Sequence, residues 1–188
     1  MPPKVKITKE EIINKTLELI RENGEDAVNA RTIASALGCS TQPIFSNFES
    51  MEDLYAQVIN AIYRLYTGFI ENELRSEKYP PYKAYGMAYI HFAKEEKELF
   101  KLLYMRDRSK EADADSIDSD LNRSMVSLVQ ENTGLESQNA NLFHLEMWAY
   151  VHGIATMFAT GFLDLDWELV SKMLTDSYQG LRKQYGME

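Results

Sequence analysis

The sequence predicts an all-α protein in which an N-terminal three-helix domain with a helix-turn-helix motif precedes a larger C-terminal helical domain. Three observations support this prediction. Apolar residues recur at helical spacing along most of the chain, no segment alternates like a strand, and residues that start or stop helices separate the periodic segments. We expect the first domain to span residues 1–50 and the second to span residues 51–188, which is long enough to bury a sizeable core.

A capping box begins the first predicted helix. Thr8 and Glu11 have the spacing at which each side chain bonds to the backbone of the other, and Gly24 ends the helix. Between these signals Ile12 and Ile20 belong to one apolar stripe, so this face is expected to be buried.

Residues 30–48 form two short helical patterns on either side of Gly38, which can adopt the left-handed backbone of a helix stop. We expect Ser40 to be the N-cap of the second helix, with Pro43 at its third position, still inside the first turn. One apolar face is formed in each helix by Ile33, Ala34 and Leu37, and by Ile44, Phe45 and Phe48. This is the helix-turn-helix pattern, whose second helix enters the major groove of DNA.

A long helix is predicted from the cap at Ser50 to about Arg75, and its two apolar stripes favour contacts with both domains. The prolines within residues 79–82 indicate a turn. Beyond it, charged residues at 94–98 predict a solvated helix start, and charged and small residues at 107–116 predict a loop.

Three more helical segments follow, and the middle one is the least polar. The first stops near Gly134, the second covers about 136–160, and Asp166 begins the last. Because 147–163 is uncharged, we expect that helix to be covered by protein on all sides. It is near the lower length limit for a membrane span and contains two glycines and a histidine, which favours burial in protein over lipid.

From Thr8 to Leu54 the chain resembles the DNA-binding domain of the TetR family of transcriptional regulators. The resemblance rests on the first helix ending in glycine, on Arg31-Thr-Ile-Ala, on Leu37-Gly-Cys-Ser and on Ile44-Phe-Ser-Asn-Phe. Trp148-Ala-Tyr-Val-His-Gly is similar to a subgroup of that family's C-terminal domains. The resemblance implies a regulator that binds operator DNA and a small molecule.

The net charge of −9 does not itself suggest DNA binding, because phosphate contacts dominate such affinity. The charge is uneven, however: residues 1–48 carry six Lys or Arg and six Asp or Glu, whereas the rest carries fourteen against twenty-three. Lys4, Lys6 and Lys9 lie in the N-terminal arm, within reach of phosphates. Since salt screens charges beyond about 8 Å, the local balance permits DNA binding.

Thr41 and Gln42, at the start of the second helix of the motif, are the candidates for reading bases. A Gln side chain can bond an adenine edge at two points, and Arg31 can reach a guanine. The full set of candidate DNA-binding residues is Arg31, Thr32, Ser40, Thr41, Gln42, Pro43, Phe45 and Asn47. Phe45 and Met51 depart from the family, which usually has Tyr and Lys there, both contacting phosphate.

Bulky residues on the helices of the second domain form a candidate ligand site. Such stripes are often plain core, but the resemblance favours a cavity. The candidate ligand-binding residues, with Tyr82 beside them, are Tyr85, Tyr89, Phe92, Leu103, Met125, Leu128, Phe143, Met147 and His152. No basic residue falls on these stripes, so we expect a small hydrophobic or cationic effector.

Catalytic and metal-binding patterns find little support. His144 and His152 are eight residues apart, whereas a two-histidine metal face uses a spacing of four with a carboxylate. A hydrogen-bonded core or interface histidine is the simpler interpretation of His152. We predict no catalytic residue, metal or cofactor. The opening residues lack an apolar run, and the lone Cys39 fits a reducing compartment, so we expect a cytoplasmic protein.

The sequence therefore predicts a ligand-responsive transcriptional repressor that binds a palindromic operator. We expect a homodimer joined by the last two helices of each subunit, where Ala149, Gly153 and Thr156 allow close approach. The alternative is a helical small-molecule-binding protein or enzyme that retains a degenerate DNA-binding lobe. Phe45 and Met51 are the strongest argument for that alternative.

Overall fold

The computed structural model describes residues 7–106 and 116–187, within which the chain forms nine α-helices and no β-strand. This confirms the all-α prediction. Lys4 and Lys6 of the N-terminal arm lie outside the described residues, as does the predicted loop at 107–116 except its last residue. Across the described ranges, no helix meets the length and hydropathy that a membrane span requires.

The first helix, α1, spans Lys9–Asn23 and begins with the predicted capping box. The Thr8 hydroxyl accepts the backbone N–H of Glu11 at 3.1 Å, and the Glu11 carboxylate accepts the backbone N–H of Thr8 at 2.7 Å. These bonds satisfy two backbone donors at a helix start. Gly24 ends the helix with a φ of +76°, where a residue with a Cβ would be strained.

Two short helices, α2 (Ala30–Ala36) and α3 (Gln42–Asn47), flank Gly38. Its φ of +65° confirms the predicted glycine turn. The prediction that Ser40 caps the second helix is wrong. The carbonyl of Thr41 accepts the first backbone bonds of α3, at 3.1 and 3.3 Å, so Thr41 is the N-cap and the proline falls at the second helical position.

The long helix α4 spans Met51–Arg75, close to its predicted bounds. Ser50 is its N-cap and accepts the backbone N–H of Asp53 at 3.2 Å. Leu54, Val58 and Ile62 of the predicted stripe are buried, whereas Leu65 and Phe69 are half-buried, and Tyr66 is buried instead. Helix α4 therefore connects the helix-turn-helix motif directly to the rest of the chain.

Five helices build the larger lobe. They are α5 (Pro81–Glu95), α6 (Lys97–Tyr104), α7 (Ser116–Thr133), α8 (Ser137–Thr160) and α9 (Trp167–Gln184). The charged segment at 94–98, predicted as a solvated helix start, is where α5 ends and α6 begins. Asp166 caps α9 as expected, accepting the backbone N–H of Glu168 at 2.8 Å.

The buried apolar side chains form two clusters. The larger runs without interruption from Ile12 in α1, through Ile62 in α4, to Leu174 in α9. The smaller lies between α7, α8 and α9 around Val129 and Phe143. The helix-turn-helix lobe and the larger lobe therefore share one core, and a second core lies within the larger lobe.

One face of α8 lies open to solvent. Leu142 and Leu145 share this face with Gly153 and expose 48 and 57% of their surface. Trp148 and Tyr150 lie on its two flanks and expose 42 and 37%. The expectation that this helix is covered on all sides is not met within a single chain. Its other face packs on α5 and α7, which accounts for its low polarity only in part.

Candidate functional site

The eight residues expected to approach DNA lie on α2, on α3 or in the turn between them. Arg31, Ser40, Gln42 and Phe45 are exposed, and Phe45 leaves 51% of its surface open. Thr32, Thr41, Pro43 and Asn47 are half-buried. An exposed phenyl ring on a six-residue helix offers apolar contact area but no hydrogen-bond donor.

Two of the half-buried candidates bond within the motif. The Thr32 hydroxyl donates to the carbonyl of Asn29 at 2.9 Å and accepts its N–H at the same distance, which fixes the start of α2. The Asn47 amide donates to the carbonyls of Pro43 at 2.8 Å and Ile7 at 3.2 Å. These bonds hold the two helices and the N-terminal arm in position.

The start of α4 combines free backbone N–H groups with acidic side chains. A hydrogen bond with Ser50 holds the pKa of the Glu52 carboxyl below its usual value, and the Asp53 carboxylate accepts the N–H of Glu49 at 3.1 Å. Met51 is half-buried against the larger core cluster. The Lys9 ammonium lies 5.1 Å from the ring centre of Phe48, the residue that follows α3.

A cavity of about 1160 Å³ lies in the larger lobe. Residues of both core clusters line it, and walls come from α5, α7, α8 and α9. Tyr66 of α4 and Tyr104 of α6 close one end. The cavity is thus in contact with the helix that leads to the DNA-binding motif.

The structure places the candidate ligand residues in four kinds of position. Tyr85, Tyr89, Met125 and Met147 line the cavity. Phe92, Leu103 and Phe143 are fully buried in the core, and Leu128 is half-buried on α7 outside the lining. His152 bonds to Tyr89 behind the lining.

Two tyrosine–histidine pairs link α5 to α8. The Tyr82 hydroxyl lies 2.9 Å from Nδ1 of His144, and the Tyr89 hydroxyl lies 2.9 Å from Nδ1 of His152. Burial lowers the pKa of both imidazoles and raises the pKa of the Tyr82 phenol well above its usual range. At neutral pH the groups are uncharged, and the phenol can donate to Nδ1, which leaves the proton of the ring on Nε2.

The sequence interpretation missed the polar wall that α5 and α9 contribute. Lys83, Thr175, Gln179 and Arg182 line the cavity, and none was a candidate. The available signal was the four- and seven-residue spacing of Thr175, Gln179 and Arg182, which places them along one side of α9. That signal does not say which helix α9 faces.

A partly buried ion pair joins α1 to the junction of α5 and α6. Nε and Nη2 of Arg21 donate to the two carboxylate oxygens of Glu96 at 2.7 and 2.9 Å. This hydrogen bond raises the pKa of the Arg21 guanidinium. A planar two-point contact fixes geometry as well as charge, so α1 and the start of α6 are held in register.

Metal binding finds no support in the part of the chain that the structure describes. Among residues 7–106 and 116–187, no three His, Cys, Asp or Glu side chains are grouped as a metal site would require. The half-buried Cys39 packs against the larger core cluster.

A helix-turn-helix lobe joined by a long helix to a cavity-bearing helical lobe is the architecture of a DNA-binding transcriptional regulator. Sequence profiles agree: that of bacterial regulatory proteins of the tetR family matches residues 12–58, and that of a tetracyclin repressor-like C-terminal domain matches residues 82–176. The second match covers half of the chain. The protein belongs to the TetR family and is a DNA-binding transcriptional regulator.

Solved structures of family members share the fold. A TetR family protein from Vibrio parahaemolyticus aligns with a TM-score of 0.65 at 15% identity, covering 92% of this chain and 97% of its own. A TetR-like regulator from Rhodococcus sp. RHA1 aligns at 0.66 and 12%, covering 96% of both chains. The fatty acid degradation regulator FadR from Bacillus halodurans aligns at 0.65 and 16%, covering 95% and 97%. No curated protein matches the sequence.

Proposed function

We propose that the protein is a repressor that binds a palindromic operator as a homodimer and leaves it when a small molecule fills the cavity. The observation that carries this proposal is Tyr66, which belongs to α4 and lines the cavity. Helix α4 begins at Met51, four residues after α3 ends. A ligand that displaces Tyr66 therefore acts on the element that positions the recognition helix.

Base recognition is assigned to the exposed turn that begins α3. Gln42 and Arg31 are exposed polar side chains with the geometry to bond base edges. The free N–H groups at the start of α4 can hold a phosphate, since a helix N-terminus carries partial positive charge. Such phosphate contacts orient the protein on DNA but do not read the base sequence.

Dimerisation is assigned to α8 and α9. The open face of α8 exposes two large apolar side chains, Leu142 and Leu145, and a Cβ built on Gly153 meets no atom within 4 Å in the chain itself. Covering that face with a second copy would remove their exposed apolar surface from water. A two-fold dimer presents two recognition helices to successive major grooves, so its operator should be palindromic.

Ligand control is assigned to a shift in population between two positions of α4. The ligand can move this equilibrium only by the difference between its affinities for the two states. Contact with Tyr66 and Tyr104 supplies such a difference, because both side chains belong to helices that also touch the DNA-binding lobe.

Selection of duplexes from a random pool tests the DNA-binding part. The expected result is enrichment of an inverted repeat whose half-sites lie about one helical turn, 34–36 Å, apart or a multiple of it. Recovered duplexes without a repeat would exclude the two-fold dimer on DNA. Failure to enrich any sequence would favour the alternative of a small-molecule-binding protein with a degenerate lobe.

A further inference from the structure

We propose that the ligand is an amphipathic carboxylate, bound with its charged group at Lys83 and its apolar body extending along α5 toward Tyr66. This rests on the proposed function only in that it takes the cavity as the effector site. It names the chemical class that the cavity selects.

Lys83 is held at the cavity without a carboxylate among its described partners. Its ammonium donates to the hydroxyls of Ser171 at 2.7 Å and Thr175 at 2.8 Å, and it lies 4.9 Å from the ring centre of Tyr79. Partial burial lowers the pKa of this ammonium, and the nearby Lys78 lowers it further. A partly desolvated cation that bonds to neutral hydroxyls and has a second ammonium nearby is stabilised by an incoming anion.

The donor count leaves a position for that anion. An ammonium group has three N–H donors, and two of them point to hydroxyl oxygens. We assign the third to an oxygen of the ligand. The neighbouring His144 lines the same end of the cavity, and its Nε2–H is a second donor when Nδ1 accepts from Tyr82.

The charge of the lining also favours an anion. Lys83 and Arg182 line the cavity, and none of its lining residues in the described ranges is Asp or Glu. This contrasts with a chain whose net charge is −9. A lining that contains the Lys83 ammonium and no described acid favours an anion over a cation.

The opposite end of the cavity is aromatic. Helix α9 runs antiparallel to α5, since Lys83 bonds to Thr175 whereas His91 packs edge-to-face against Trp167 earlier in α9. The cationic end is therefore at the start of α5, and Tyr89 lies six residues further along, about 9 Å at the helical rise. Tyr66 and Tyr104 surround Tyr89 there, with ring centres 6.0 and 4.9 Å from it.

These positions set the shape of the ligand. A carboxylate at Lys83 needs an apolar body longer than about 9 Å to reach Tyr66. The sequence-based expectation of an apolar or cationic effector rested on stripes that contain no basic residue. Packing of α9 against α5 brings Lys83 and Arg182 to the cavity and removes the reason for that expectation.

Calorimetric titration of the full chain with matched probes tests the proposal. The probes are decanoate and 1-pyrenebutanoate, each beside its alcohol and its ammonium counterpart, all below the micellar concentration. We expect each carboxylate to bind about tenfold or more tightly than its alcohol, with the ammonium weakest, because hydrogen bonds to charged groups contribute about 1.5–3 kcal/mol. This ranking uses the unaltered protein and does not depend on a variant folding.

The variant Lys83→Met tests whether Lys83 causes the preference for carboxylates over alcohols. The variant should weaken both carboxylates about tenfold and change the alcohols less than about twofold. Lys78→Met is the matched control: its ammonium lies 5.2 Å from the same Tyr79 ring but is not in the lining, so carboxylate affinity should stay within about twofold.

Three results would overturn the carboxylate assignment: alcohols or ammonium compounds that bind as tightly as carboxylates, no carboxylate binding, or an unchanged preference in Lys83→Met. Operator release is measured separately in the same samples. An ammonium probe that releases DNA would reject the assignment and leave the repressor function standing. A carboxylate that binds through Lys83 but leaves operator affinity unchanged at saturation would support the assignment and reject release by the cavity.

Discussion

Met51 occupies the first turn of α4, where the family usually has a lysine that contacts phosphate. Glu49, Glu52 and Asp53 surround it, so the described side chains at this helix start supply no positive charge. Backbone N–H groups alone would then hold the phosphate. We expect operator affinity to be modest and its dependence on salt to be shallow.

Met51→Lys should add one phosphate contact per subunit. The methionine is half-buried, and a lysine can keep its stem on the core while its ammonium reaches solvent. The slope of log affinity against log salt should steepen by about 1 per subunit. Asn60→Lys adds the same charge at an exposed site about 13 Å along α4 and should leave the slope nearly unchanged. An equal effect of both changes would place the DNA backbone elsewhere.

Gln42→Ala tests base reading at the first residue of α3. The side chain is exposed, so its loss should cost about 1–3 kcal/mol of binding and relax the preference at one base pair per half-site. Ser46→Ala is the control, because its hydroxyl already donates to the Gln42 carbonyl at 2.8 Å. Binding measured on a panel of operator variants distinguishes the outcomes: uniform weakening on every sequence would mean that Gln42 contacts phosphate.

His144 should make stability depend on pH. Burial lowers the pKa of its imidazole in the folded state, so the unfolded chain takes up a proton first as pH falls. Its contribution is complete above the unfolded pKa of about 6.5 and declines as pH drops below that value. The urea midpoint of His144→Gln should therefore fall less between pH 7.5 and 5.5 than that of the unaltered protein. Parallel curves for the two proteins would assign the pH dependence to other groups.

Helix α6 is short, yet one of its ends contacts α1 of the DNA-binding lobe and the other lines the cavity. At its start Glu96 is bonded to Arg21 of α1, and at its end Tyr104 lines the cavity. Between them Phe100 packs within 6.0 Å of the His152 ring. A displacement at the cavity can therefore reach α1 through one rigid element as well as through α4.

A double-mutant cycle on Arg21 and Glu96 measures how firmly α6 holds α1. Two-point hydrogen bonding and partial burial should give Arg21→Gln and Glu96→Gln a coupling free energy of about 1 kcal/mol in urea unfolding. The exposed pair of Glu71 and Arg75, separated by 3.9 Å, is the control and should couple close to zero. Similar values for the two pairs would show that the contact does not fix the lobes.

Local signals predicted most helix bounds because caps and periodicity are short-range. The capping box at Thr8 and Glu11 and the cap at Ser50 are confirmed. The start of α3 was missed because Ser40 and Thr41 have similar cap preference, and only the hydrogen bonds that the Thr41 carbonyl accepts distinguish between them.

The cavity lining was less predictable, since it depends on how helices pack. The stripe on α5 correctly included Tyr85 and Tyr89, which line the cavity. Lys83 lies on the side of α5 that meets α9, a pairing that no local pattern encodes. Helix packing likewise places Phe92 and Phe143 in the core, although their sequence neighbours are as apolar as those of the lining residues.

The assembled molecule should be a dimer held by the open face of α8. Gly153→Leu should give monomer or unfolded protein, because the added side chain would enter the space that the partner is expected to fill. Gly68→Leu is the control: it lies in α4, where a Cβ also meets nothing within 4 Å, and it should remain a folded dimer. Sedimentation measures both, and a folded dimer of Gly153→Leu would locate the interface elsewhere.

The core is continuous through α4, so the DNA-binding lobe is not structurally independent of the rest of the chain. Leu54, Val58 and Ile62 pack in the same cluster as Ile12 and Leu174, so the boundary expected near residue 50 is not a gap between two interiors. Exchange of this lobe for that of a relative would bring a foreign surface against the α4 stripe. New operator specificity is therefore more accessible by changing exposed positions of α2 and α3 than by grafting a whole lobe, because those positions can vary without disturbing a shared interior.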